Sequence, residues 1–126
     1  MSIENDIGTV IIDSAIKVHS ALGPGLLESA YGHCLAYELS QRGASVRREV
    51  AIPIQFGALN VENAYRVDMI VNGLVLVELK ACESILPIHR SQLISYLRLG
   101  RFKLGYLLNF HVDQMRNGIA RLVNGL

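Results

Sequence analysis

The run Leu76-Val77-Glu78-Leu79-Lys80 is apolar enough for the inside of a sheet, yet it carries an acid and a base two positions apart. Alternate residues of a strand project from one face, so Glu78 and Lys80 point the same way. Upstream, Tyr65-Arg66-Val67-Asp68-Met69-Ile70-Val71 puts a second acid into an equally apolar stretch, and Asn72-Gly73 between the runs marks a hairpin. Charges inside such strands are costly unless they serve one another or a ligand. Asp, Glu and Lys converging on one surface offer a hard-cation site with a cationic neighbour for a water or a phosphate.

Register decides whether they converge. A two-residue turn at Asn72-Gly73 would put Asp68 on the face of Val75, Val77 and Leu79, away from Glu78. A three-residue loop, Val71-Asn72-Gly73, shifts the pairing by one and flips every side chain, and Gly73 suits its left-handed position. One face then holds Val67, Met69, Val75, Val77 and Leu79, all apolar. The other holds Arg66, Asp68, Ile70, Leu74, Leu76, Glu78 and Lys80, with every charge of the hairpin. The second register separates the patterns and gathers Asp68, Glu78 and Lys80. Such a group has the chemistry of metal-dependent phosphodiester cleavage.

A chain of 126 residues is expected to form one domain, 1–126, with a core of its own. Half the residues are hydrophobic, which excludes a disordered chain, and a formal net charge of only +1 argues against indiscriminate nucleic-acid binding. Local basic groups remain, Arg47 with Arg48 and Arg90 with Arg98, Arg101 and Lys103, each with a solvated face as its plainer reading. Cys34 and Cys82 have apolar neighbours and no metal-ligand spacing, so they read as reduced packing residues. No run reaches the roughly 20 apolar residues of a membrane span, and the acidic start Ser2-Ile3-Glu4-Asn5-Asp6 does not resemble a signal peptide. The expectation is a cytoplasmic protein without membrane contact.

Helical periodicity runs from about Asp6 to Leu22, with Ile12, Ala15, Ile16, His19 and Leu22 as its stripe. Gly23-Pro24-Gly25 breaks the chain, and a second helix follows from Leu26 to Arg42, with Leu27, Ala30, Tyr31, Cys34 and Tyr37. Strands are expected at Val46–Phe56, Ala64–Val71 and Leu74–Lys80. Pro87 opens a third helix, Ile88 to Leu99, ended by Gly100. Lys103–Phe110 is a buried strand, and the helix before it implies a parallel crossover. Ile119–Val123 is an edge strand or a short helical turn. The order α-α-β-β-β-α-β makes an α/β fold, a central mixed sheet of four to five strands flanked by helices.

Glu28 falls in the first turn of the second helix, where the macrodipole alone would favour an acid. Gln92 and Tyr96, four apart, share a face of the third helix, with His89 three residues before Gln92. A Gln–Tyr pair can hold a phosphate or orient a lysine, although two polar residues on a helix more often mean little. His19 on the apolar face of the first helix reads as a satisfied core residue, and Glu83 as a solvated loop acid.

Together these motifs resemble the GxxExxY family, whose name is spelled by Gly25, Glu28 and Tyr31, and which is grouped with the PD-(D/E)XK nuclease superfamily. The resemblance runs from Gly23-Pro24-Gly25-Leu26-Leu27-Glu28-Ser29-Ala30-Tyr31 through Arg66-Val67-Asp68 and Val77-Glu78-Leu79-Lys80-Ala81. It continues in Gln92-Leu93 with Tyr96-Leu97 and in Leu107-Leu108-Asn109-Phe110. Glu-x-Lys alone is weak; the ordered set is strong. Val67 stands where the superfamily's name has proline.

The resemblance implies a restriction-endonuclease-like core. It makes Asp68, Glu78 and Glu28 the metal-binding acids, with the Leu79 carbonyl as a further oxygen, and Lys80 the catalytic lysine. Gln92 and Tyr96 match the Q-x-x-x-Y motif of exonuclease-like branches and would position substrate. The implied cofactor is Mg²⁺ or Mn²⁺, and the implied partner is nucleic acid, DNA ahead of RNA, with a second copy of the chain or a partner protein also in view. Three carboxylates without metal should repel, raising at least one pKa. The competing expectations are a non-catalytic module holding nucleic acid or a protein on the same fold, and a hydrolase or lyase of another phosphorylated substrate.

Overall fold

The computed structural model describes residues 2–126. Helices α1 (Ile3–Leu22) and α2 (Glu28–Gln41) precede strands β1 (Val46–Phe56), β2 (Leu59–Val71) and β3 (Val75–Lys80). Helix α3 (Pro87–Gly100), β4 (Leu104–Asn109), a 3₁₀ turn (Met115–Gly118) and β5 (Ile119–Val123) complete the chain. The sheet order is β1-β2-β3-β4-β5, antiparallel throughout except for β3 beside β4. The expected mixed sheet and element order are present, and the tail is a strand.

Two apolar layers hold the sheet. On one face Ile7, Ile11, Ala15 and Val18 of α1 and Tyr31, Leu35 and Leu39 of α2 pack on Met69, Val77, Leu79, Tyr106 and Leu108. On the other, Leu93 and Leu97 of α3 pack on Ile52, Val67, Ile70, Leu76 and Leu107. Each fully buried side chain of this size contributes about 1.5–3 kcal/mol. Gly105 lets α3 come close, since a Cβ there would sit 3.1 Å from Leu97 and 3.2 Å from Leu93.

Both leading helices turn a different stripe inward from the one their sequences indicated. Ile16 is 41% exposed and Leu22 39%, whereas Ile7, Ile11 and Val18 are buried beside Ala15 and His19. In α2, Leu27 is 78% exposed, Tyr37 66%, and Cys34 is on the surface. Cys82 is half-buried, its thiol donating to the Ser84 carbonyl, so neither cysteine is a core packing residue. These helices are apolar over more than one face, and contact with the sheet selects the stripe.

The hairpin loop has three residues, as parity demanded, but lies one position further on, at Asn72-Gly73-Leu74. Val71 opposes Val75, Ile70 opposes Leu76 and Met69 opposes Val77. Asn72 and Gly73 both take positive φ, 52° and 68°, and the Leu74 N–H donates to the Val71 carbonyl. Asn72 also accepts from the Ser45 N–H at 2.8 Å, which ties the loop to the start of β1.

The strand faces are not continuous along β1 and β2. Their register is unbroken here, with Arg48 opposite Met69 and Val50 opposite Val67. Yet Met69 packs under α1 and α2, while Val50 and Val67 pack under α3. Both strands therefore change face between these pairs, at Glu49, whose φ is 52°, and at Asp68. The β2–β3 ladder ends at Met69–Val77, so beyond it β2 is paired to β1 alone and free to rotate. Val67 accordingly leaves the face expected for it, as does Leu74, which packs on the α1–α2 side. β2 also begins at Leu59, earlier than expected, in a ribbon turned by Gly57 at φ 60° and bulged at Pro53, which has no N–H to pair.

Candidate active site

Where the β2–β3 ladder stops, two carboxylates take over its hydrogen bonds. The Asp68 N–H donates to Glu78 Oε1 at 2.8 Å, and the Leu79 N–H donates to Asp68 Oδ2 at 2.7 Å. Each acid thus uses one oxygen on the neighbouring strand's backbone, and its other oxygen has no hydrogen-bond partner among the described residues. This exchange fixes both side chains without a third element.

Lys80 follows at the end of β3 and forms neither of the ion pairs found among the described residues, both of which join Glu38 to Lys17 and Arg42. The strand end beneath it is clamped. The Lys80 carbonyl accepts from the Phe110 N–H at 3.0 Å. Asn109, only 2% exposed, accepts from the Cys82 and His111 amides and donates to the Cys82 carbonyl at 2.8 Å. A buried amide in an otherwise apolar strand demands such partners, and its position in Leu107-Leu108-Asn109-Phe110 carried that signal.

Glu28 is the first residue of α2. Tyr31 sets its place: the hydroxyl donates to the Gly23 carbonyl at 2.5 Å, accepts from the Leu26 N–H at 3.1 Å, and the ring stacks on Phe110 at 4.5 Å. The tyrosine of the motif is thus a buried staple for the Gly-Pro-Gly turn, in keeping with its reading as a packing residue.

The acids share one electrostatic environment. Burial and then Asp68 push Glu78 up to about 8. Burial raises Asp68, opposed by the Leu79 N–H, and Glu49 adds to the rise while Lys80 and Arg48 counter it. Glu28 is raised by burial, then by Asp68, against the pull of Lys80. The expected upward shift is present, with burial ahead of repulsion as its cause. Asp68 and Glu78 are joined across the strands by their hydrogen bonds, Asp68 and Glu28 line one cavity, and the charge of Lys80 acts on all three acids.

Tyr96 joins them from α3. Its hydroxyl is raised by burial and by the charges of Glu78 and Asp68, and its ring stacks on Tyr65 at 3.9 Å. The Tyr65 hydroxyl is buried without a hydrogen-bond partner and pushed up to about 12 by burial. Gln92, one turn earlier, is on the surface. His89 caps α3, its Nδ1 accepting from the Leu86 N–H, and His19 bonds the Val112 carbonyl through Nε2 at 2.7 Å. Both are occupied by the fold.

Two residues had no sequence signal beyond their charge. Arg48 and Glu49 line a cavity of about 270 Å³ with Glu28, Ser29, Gly32, Asp68 and Leu79. Arg48 reaches it on the face of Val46 and opposite Met69, while Glu49, at φ 52°, enters where the strand changes face, which alternation alone does not reveal. A larger cavity of about 430 Å³, at His19, Gly23 and Met115, includes none of Glu28, Asp68 and Glu78.

Among the described residues no three His, Cys, Asp or Glu side chains close on one point. A cation held by Asp68 and Glu78 would depend on two carboxylates, the Leu79 carbonyl and water. An all-oxygen set with few protein ligands fits Mg²⁺ or Mn²⁺ and suits neither zinc nor copper.

No curated protein matches the chain, and neither does any solved structure. One family model does, over residues 5–122, nearly the full length, and it describes the PD-(D/E)XK nuclease superfamily. The match takes in all five strands of the sheet and its flanking helices: the chain belongs to the PD-(D/E)XK nuclease superfamily.

Proposed function

We propose that this domain, 1–126, is a divalent-metal-dependent phosphodiester hydrolase acting on nucleic acid, DNA first. The observation that carries this reading is the cross-strand exchange between Asp68 and Glu78, which leaves one oxygen of each acid free beside an unpaired Lys80. Asp68 and Glu78 hold the metal, and Glu28 bears on it from α2. When bound, Mg²⁺ or Mn²⁺ supplies Lewis acidity toward the scissile phosphate and the attacking water. Lys80 orients that water or offsets the charge that grows on the phosphate. Tyr96 bounds the cleft, and Gln92 meets substrate only at its outer edge. No helix among the described residues is long and apolar enough to cross a membrane, and two free cysteines suit a reducing cytoplasm.

The test is cleavage of single- and double-stranded DNA and RNA with Mg²⁺, with Mn²⁺ and with chelator. Metal-dependent cleavage is expected, lowered about a hundredfold or more by Asp68→Ala, Glu78→Ala or Lys80→Ala. The reading is wrong if chelator leaves cleavage intact or the three variants match wild type. A binding module is favoured instead if the protein holds nucleic acid with no use for metal, an outcome kept in view because only two carboxylates pair across the gap.

A further inference from the structure

Arg48 occupies an unusual place. It lies on the α1–α2 side of β1, opposite Met69 and on the face of Val46, and is exposed beside α2, where Gly32 makes room: a Cβ on Gly32 would lie 2.8 Å from the Arg48 guanidinium. One guanidinium nitrogen bonds His33 Nδ1 at 3.0 Å, which holds the head in place without neutralising it. Among the described residues no carboxylate lies within ion-pair distance of Arg48, although it lines the same cavity as Asp68, Glu28 and Glu49. An arginine recruited to balance these acids would be paired with one of them. This one is held beside them with its charge available.

Guanidinium geometry matches a phosphate, and Lys80 already serves the reacting one in the proposed function. We propose that Arg48 binds the phosphodiester adjacent to the scissile one, so that the site takes a polynucleotide backbone of at least two linked phosphates. Arg48 is then a positioning and specificity residue: it distinguishes a nucleic-acid strand from an isolated phosphodiester. The inference rests on the nuclease reading. Gly32 gives the guanidinium its room, since a Cβ there would crowd both Arg48 and, at 3.2 Å, the Leu79 side chain.

Binding of a short fluorescein-labelled DNA, single-stranded and duplex, is measured with Ca²⁺ across a KCl series. Arg48→Ala is expected to raise Kd about tenfold and to lower the salt slope by about one contact, and Arg48→Lys to recover part of both. In turnover, Arg48→Ala should lose about tenfold more kcat/KM on the DNA than on bis(p-nitrophenyl) phosphate, which has no second phosphate. Equal losses on the two substrates, or an unchanged Kd and salt slope, overturn the inference while wild-type cleavage leaves the nuclease reading standing. A wild type that neither binds nor cleaves DNA or RNA overturns both.

Discussion

Glu78 carries two duties: it accepts from the Asp68 amide with one oxygen and offers the other to the proposed metal. Burial and Asp68 lift it to about 8 from an ordinary 4.5. The sign follows directly. Between those values the folded metal-free protein holds a proton that the unfolded chain has lost, so stability is full at low pH and falls as pH rises through that window. Asp68 and Glu28 shift in the same direction. Melting metal-free protein from pH 5 to 8 should show Tm decreasing, and Glu78→Gln should flatten that slope; a Tm that rises over the range contradicts it. Lys80 separates differently. Lys80→Ala should cut the cleavage rate about a hundredfold while metal affinity stays near wild type, which parallel turnover and calorimetry would read.

The hairpin shows how much of a site a sequence can hold. Parity between Asp68 and Glu78 was legible, because only an odd loop collects the charges on one side. The face change at Glu49 and Asp68 was not, because both strands change together and the register stays intact. Glu49 was hidden for the same reason; Arg48 was legible only as one of a basic pair, because its place beside Gly32 depends on where α2 packs, while Asn109 was legible in principle as a buried polar residue. The helices were legible in extent, but their inward stripes depend on a partner surface that periodicity does not describe. Tyr31 belongs here too, since it joins the Gly-Pro-Gly turn to α2. Tyr31→Phe keeps the stack on Phe110 and loses two hydrogen bonds. It should cost about 1–2 kcal/mol by urea unfolding and weaken metal binding through Glu28; unchanged values in both would make the hydroxyl idle.

Across the whole molecule, one sheet with helices on both faces presents its chemistry at the end of β3, where α2, α3 and the β4 terminus meet. Asn109 secures that junction through three hydrogen bonds to the chain beyond Lys80 and β4. Asn109→Leu takes their partner from the part-buried Cys82 and His111 amides and should destabilise the fold by about 1–3 kcal/mol, read from the urea midpoint. The proposed metal site in turn rests on two carboxylates meeting between strands rather than on a closed cage. Calorimetric titration of Mn²⁺ into the wild type and Glu78→Ala at neutral pH examines that point directly. Saturable binding with proton release, lost in Glu78→Ala, is the expected result. Wild-type protein that takes up no Mn²⁺, or a Glu78→Ala variant that binds it equally well, would contradict a metal site between Asp68 and Glu78.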